Sequence, residues 1–265
     1  MDARQVGLLA PSAWDGYISA NRLPWSFLMF GYLSKALSQL GDPVLRRVLL
    51  IGVAGSAVVF ILLNVLVWWI FSTTVDLSSL SLWGWLEDVL DWIAGFVVGL
   101  SLLVVSAVLF PGVSTIIVGF FLEDVVAAVE AKHYPNEPPA RPQPVSEVVA
   151  STARFALMVI GLNLLCLPFY LILMFVPPLN LVLYYVLNGY LISREFFELV
   201  ALRRMDPAAA LNLRRQSRGK IMISGILLTF LLTIPIINFL TPVIATAFMV
   251  HVFHSLPGRQ EIIHA

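Results

Sequence analysis

Val48–Phe71 runs for 24 residues without one charged side chain, and no other feature constrains the chain as strongly. As a helix rising about 1.5 Å per residue, a run of this kind is long enough to cross a hydrocarbon core about 30 Å thick. Trp68, Trp69 and Phe71 close it, as amphipathic rings do at a membrane–water interface. A second uncharged run covers the 31 residues Trp92–Leu122. A straight helix of that length would reach roughly 46 Å. It therefore either kinks at Pro111-Gly112 or projects from the bilayer at one end. Composition agrees: 59% of residues are hydrophobic and 12% charged, against about 45–50% and 25% in soluble domains. A water-soluble globular protein is excluded.

Phe155–Ser193 and Ile221–Val250 are also uncharged. Each is divided by a short turn, Val176-Pro-Pro-Leu-Asn-Leu181 in one and Ile234-Pro-Ile-Ile-Asn-Phe239 in the other. The turns share an aliphatic residue, Pro, any residue, Leu or Ile, Asn and an apolar residue, and neither carries a charge. They read as a repeat: two helical hairpins that enter the membrane and return, with Pro and Asn at a buried tip. Ordinary paired spans are the alternative, since non-helical backbone at depth needs protein or a wet cavity to satisfy it. Ahead of the first span, Trp25–Leu40 places Phe27, Phe30, Leu33, Leu37 and Leu40 at helical spacing, with polar residues between them. That pattern suits a helix lying in the interface or one packed on the rest of the protein.

The expected fold class is thus an all-α polytopic membrane protein. It has two long transmembrane helices, two half-penetrating helical hairpins and an N-terminal amphipathic helix. Residues 1–265 form a single membrane domain. Within it lie the amphipathic helix (25–41), the long helices (44–71 and 90–130), a Pro-rich linker (134–144) and the hairpins (153–199 and 220–254). The linker holds five prolines in 11 residues, which makes it stiff and unable to continue either neighbouring helix.

Charge orients this layout. The segment Ser72–Asp91 carries Asp76, Glu87, Asp88 and Asp91 and no Lys or Arg. All 16 basic residues fall in the N-terminal arm, Lys132–Arg154, Arg194–Lys220 or the tail at Arg259. Positive-inside bias places those segments, and both termini, in the cytoplasm.

Chemistry is sparse. There is no phosphate-cradling glycine loop, no HExxH, no CxxC and no G-x-S-x-G, so neither an enzyme nor a cofactor is expected. Sixteen Lys+Arg balance 16 Asp+Glu, which gives no global charge to recruit nucleic acid. The single Cys166 reads as a buried structural thiol. His251 and His254 share a helical face without a third ligand nearby, so they read as a pair at the membrane edge and no metal site is expected. Arg203-Arg204 with Arg214, Arg215, Arg218 and Lys220 suits a nucleic-acid or lipid patch, or simply a cytoplasmic loop. Gly95 and Gly99 form a GxxxG, and Gly52 and Ser56 offer a second small face for helix contact. Arg194 and Glu198, four apart, either pair locally or belong to a functional site.

The sharpest candidate is Gly41-Asp-Pro-Val-Leu-Arg-Arg47. Asp42 can cap a helix and Pro43 suits its first position. Free N–H groups at that end, with the guanidinium forks of Arg46 and Arg47, could hold a tetrahedral oxyanion. Asp42 competes for the same donors, and juxtamembrane anchoring is the simpler role.

Asp42-Pro-Val-Leu-Arg-Arg47, Gly119-Phe-Phe-Leu-Glu123, Pro177-Pro-Leu-Asn180 and Ile234-Pro-Ile-Ile-Asn-Phe239, followed by Pro242-Val243, together resemble the CysZ family of bacterial sulfate permeases. That family is related to the etoposide-induced 2.4 membrane proteins. The resemblance covers roughly residues 30–254. It implies two long spans, two pairs of half-penetrating helices and a homo-oligomer in the bacterial inner membrane. It also implies uptake of sulfate or a related oxyanion for cysteine biosynthesis. Sulfate would bind at Arg46 and Arg47. Glu123 would belong to an ion-paired polar region near the cytoplasmic end, with Arg194, Glu198, Asn180 and Asn238 as further candidates for a pathway. A membrane scaffold that transports nothing is the alternative function.

Overall fold

The computed structural model describes residues 25–74 and 84–259, and every regular element among them is helical. The N-terminal arm before residue 25, Asp76 with the rest of 75–83, and the tail after 259 lie outside the described residues. In chain order the elements are α1 (Trp25–Ser38), a tight turn at Gln39–Gly41, α2 (Pro43–Thr74), α3 (Gly84–Gly119) and α4 (Leu122–His133). Then come α5 (Val145–Leu173), α6 (Pro177–Ala201), α7 (Pro207–Gln216), α8 (Arg218–Leu232) and α9 (Pro235–His254). Stretches of α2, α3, α5 and α9 are long and apolar enough to cross a bilayer. Exposed apolar side chains such as Leu164, Leu165 and Ile172 cover α5, which buries no residue at all. Apolar surface on that scale marks contact with lipid, and the chain is a multi-pass membrane protein.

The helices start where local chemistry dictates. Asp42 Oδ1 accepts from Val44 N–H at 3.1 Å while Pro43 opens α2. Asp206 Oδ1 accepts from Ala208 and Ala209 N–H at 2.8 and 3.0 Å to cap α7. Pro177 and Pro235 open α6 and α9. The N–H groups of Asn180 and Asn238 close backbone bonds onto Val176 and Ile234, the residues just before those prolines. The two similar turns are therefore one device used twice, a proline-led helix start.

Three expectations need correction. The second long helix, expected over 90–130, is not one element: it runs on through Pro111-Gly112, where a kink was one of two ways to take up its excess length. It stays helical to Gly119 and bends by 58° between there and Leu122, where Phe120 and Phe121 N–H still donate to Ile117 and Val118 carbonyls. The bend costs few backbone bonds because a tight turn satisfies them. The first limb of the first hairpin, α5, begins at Val145 rather than 153 and is long and apolar enough to cross, whereas its second limb, the 25-residue α6, is not apolar enough to count as a span by itself. Only the second pair contains a short limb, the 15-residue α8. Cys166 is half-buried on α5 rather than interior.

α9 is the centre of the molecule. From Val243 to Phe253 it is buried all round, with α1, α4, α6 and α8 packed on it. α1 turns Met29, Leu33 and Ala36 inward and leaves Phe30 63% exposed, so it packs on the protein by one stripe and offers another outward. The small faces set the closest approaches. A Cβ on Gly52 would lie 2.4 Å from Val118 Cγ2, and one on Gly225 would lie 1.9 Å from Gly189 O. α2 meets α3 at the first and α6 crosses α8 at the second. Gly99, by contrast, has nothing within 4 Å.

Candidate functional site

Arg46 and Arg47 are exposed in the first turns of α2 and line an open depression of about 500 Å³ with Gly41, Pro43, Leu50 and Ile51. Among the described residues neither guanidinium has an ion-pair partner. Asp42, the carboxylate that precedes them in the chain, is engaged twice, by Lys132 Nζ at 3.2 Å and by Val44 N–H. Arg46 N–H closes on Asp42 O at 2.9 Å, and Pro43 has no N–H to offer. The capping residue therefore takes up most of the helix-end donors foreseen from the sequence. The anion-binding capacity that remains is carried by two guanidinium groups, with the helix dipole behind them.

The other candidates separate. Arg194 Nε pairs with Glu198 Oε1 at 2.7 Å, and its guanidinium also contacts Met158 Sδ and lies 6.0 Å from the Phe155 ring. Glu123 has no ion-pair partner among the described residues. It stands at the start of α4 and, with Glu195 and Glu198, lines a cavity of about 310 Å³. That cavity is acidic, so it repels an oxyanion unless its carboxyls are protonated or paired. Asn180 and Asn238 sit half-buried in the first turns of α6 and α9 and join neither feature.

The ion-paired region exists, but it is built around Glu130, seven residues beyond Glu123. Arg204 Nη2 reaches Glu130 Oε2 at 2.6 Å and its Nε donates to Oε1 at 2.8 Å, while Arg203 Nε stands 3.3 Å from Oε2. Arg204 and Glu130 are 6% and 5% exposed, which makes this a buried pair. Arg259 Nη1 donates to His254 Nδ1 at 2.6 Å, leaving His254 Nε2–H to face Glu130 Oε1 at 3.4 Å. Arg259 Nη2 also donates to Glu137 at 2.8 Å. Burial raises the Glu137 carboxyl, but the hydrogen bond and charge of Arg259 outweigh it and hold the group below its ordinary 4.5.

Next to this network lies a neutral one. Tyr134 stacks on His254 with ring centroids 3.8 Å apart, and its hydroxyl lies 2.9 Å from His251 Nδ1. Burial, helped by Tyr32, pushes the Tyr134 phenol up to about 12. Gln39 Nε2 lies 2.8 Å from Nε2 of both His133 and His251. If it donates to both rings, each carries its proton on Nδ1, and His251 then donates to Tyr134 Oη. His251 and His254 are thus interior parts of hydrogen-bond networks rather than a pair at the membrane edge. No cluster of three metal-ligating side chains forms among the described residues.

The sequence points to Arg46 and Arg47 because a helix-start motif precedes them. It does not point to Glu130, whose partners Arg203, Arg204 and His254 lie 73, 74 and 124 residues away. The one signal was a carboxylate closing an apolar phase, Val125-Val126-Ala127-Ala128-Val129.

No curated protein matches the chain. Residues 32–242 match the family model described as sulfate transporter CysZ/etoposide-induced protein 2.4. That span takes in α2 through the proline-led start of α9, including Arg46, Arg47 and, from the Glu130 network, Glu130, Arg203 and Arg204; His254 and Arg259 lie beyond it. The chain belongs to the sulfate transporter CysZ/etoposide-induced protein 2.4 family.

Proposed function

We propose that this protein is a permease of the bacterial inner membrane that passes sulfate or a related oxyanion into the cytoplasm, supplying sulfur for cysteine biosynthesis. It catalyses no covalent chemistry and works as a homo-oligomer with both termini cytoplasmic. The observation that carries the reading is the state of Arg46 and Arg47: two exposed guanidinium groups at a helix start, with the adjacent carboxylate held by Lys132 and the backbone. Guanidinium forks match the oxygens of a tetrahedral anion, and the positive end of the helix dipole adds to the attraction. A bilayer interior cannot solvate a dianion, so any crossing route needs polar groups at depth. Asn64, bonded to Ser106 Oγ at 3.0 Å between α2 and α3, is one such group.

The test is radiolabelled sulfate uptake into proteoliposomes holding the wild-type chain or Arg46→Ala/Arg47→Ala. Saturable uptake by the wild type alone is expected. Equal uptake by both removes the arginines from the site. No uptake by either folded, inserted protein refutes sulfate permeation and favours a scaffold.

A further inference from the structure

Where α6, α7 and α8 meet, a cavity of about 790 Å³ opens among Arg214, Arg215, Arg218, Tyr190 and Ser193. It is larger than the depression at Arg46 and Arg47, and no Asp or Glu lines it. Among the described residues none of the three arginines has an ion-pair partner. Glu198, which lines a smaller adjoining cavity with Arg214, is paired with Arg194, and Asp206 is committed to the cap of α7. Three unpaired guanidinium groups around one concavity are a strong local source of positive potential.

The floor of the cavity is not polar. Ile221 and Met222 line it, and apolar surface continues away from it along both helices. On α8, Gly219, Ile223 and Phe230 follow at spacings of four and seven, which places them on one side of the helix. Ile223 and Phe230 are each 53% exposed. On α6, Val186 lies one turn from Tyr190, and both are exposed. A cationic cup thus stands beside exposed apolar surface on α6 and α8. A small hydrophilic anion would use only the cup. An amphiphile with an anionic head and hydrocarbon tails uses both.

We infer that this cavity is a binding site for an anionic phospholipid, its phosphate held by Arg214, Arg215 and Arg218 and its acyl chains laid along Ile223, Phe230 and Val186. The lipid belongs to the same leaflet as the basic loops, and bound there it clamps α7 against the tightly crossed pair α6 and α8. The site is separate from Arg46 and Arg47, and the inference stands whether or not the protein carries sulfate.

The experiment is native mass spectrometry of the purified full-length protein released from vesicles of equimolar phosphatidylglycerol and phosphatidylcholine. Wild type should retain phosphatidylglycerol preferentially. Arg214→Gln/Arg215→Gln/Arg218→Gln should lose that preference by on the order of tenfold or more, given the attraction of each basic side chain for an anionic surface. Arg46→Gln/Arg47→Gln should keep it. Should the triple variant misfold, Arg214→Lys/Arg215→Lys/Arg218→Lys keeps the charge, and phosphatidylglycerol should remain favoured over phosphatidylcholine. Equal retention of both lipids by wild type, or an unchanged preference in a folded triple Gln variant, overturns the inference. So does complete displacement of phosphatidylglycerol by millimolar inorganic phosphate, which would mark a site for a free anion.

Discussion

Glu130 holds together groups from three other parts of the chain: Arg203 and Arg204 after α6, His254 at the end of α9 and, through His254, Arg259 near the tail. Removing one partner of a buried ion pair leaves the other uncompensated. Glu130→Ala is therefore expected to destabilise the protein by about 3–5 kcal/mol, read as a fall in thermal midpoint in detergent. Glu123→Ala, on an exposed side chain without an ion-pair partner among the described residues, should change it little. Glu137 gives a pH signature. Its carboxyl is depressed below 4.5, because Arg259 outweighs the upward push of burial. The stability it contributes is complete above 4.5 and disappears as pH falls through the lower folded value. Glu137→Gln should flatten that part of the acid limb in a pH series of thermal melts, and an unchanged limb would assign the loss to other carboxylates. The contrast between Glu123 and Glu130 shows where sequence reasoning stops at this scale. A helix cap such as Asp42-Pro43 is legible because its physics is local, whereas a carboxylate's partners 73 to 124 residues away are set by packing.

Glycine exchanges test how the helices are held. Ala is a better helix former than Gly by about 1 kcal/mol, so Gly→Ala stabilises an open helix site and destabilises only where the methyl has no room. At Gly225 the new carbon would lie 1.9 Å from the Gly189 carbonyl oxygen and 2.5 Å from Ser193 Cβ. Backbone cannot rotate away as a side chain can, so α6 and α8 must separate. Gly225→Ala is expected to cost about 3 kcal/mol or more after the propensity gain, measured by thermal melting or recovery of monodisperse protein. Gly99→Ala, with open space around it, should be neutral or slightly stabilising in the isolated chain. A large loss there would show that the GxxxG meets another copy. Periodicity and length pointed to the long apolar helices and the proline-led turns between them, but not to α7 or to α4 as a separate helix. The break after Gly119 was not legible. Pro111 is the local breaker, yet α3 continues through it, and the bend follows from how α4 packs its Val125, Val126 and Val129 face into the core.

At the scale of the whole molecule, uncharged runs made the multi-pass character legible from the chain alone. The depth of the C-terminal helix pairs was not. It depends on limb lengths that include polar ends, and α5 gains a full two turns over the stretch expected from apolarity, beginning at Val145. The linker between α4 and α5 is fixed to the basic end by Arg141 N–H donating to Arg203 O at 2.9 Å and by contact of Arg204 with the Pro138 carbonyl. That joins Lys132–Arg154 and Arg194–Lys220, two of the basic segments that charge bias assigns to the cytoplasm, at one end of the molecule. The consequence is an accessibility pattern. In a Cys166→Ala background, a single cysteine at Asn136 should react with a membrane-impermeant maleimide only after cells are permeabilised. One at Ser79, in the acidic segment, should react from outside without permeabilisation. Labelling of Asn136 from outside would invert the topology, and would move Arg46, Arg47 and the basic cavity to the outer leaflet together, because Asp42 and Lys132 tie the start of α2 to the same end. Labelling of both positions from the same side would break the two-span arrangement of α2 and α3. With α2 and α3 each crossing once, two crossings separate Asn136 from the start of α2 and one separates it from Ser79.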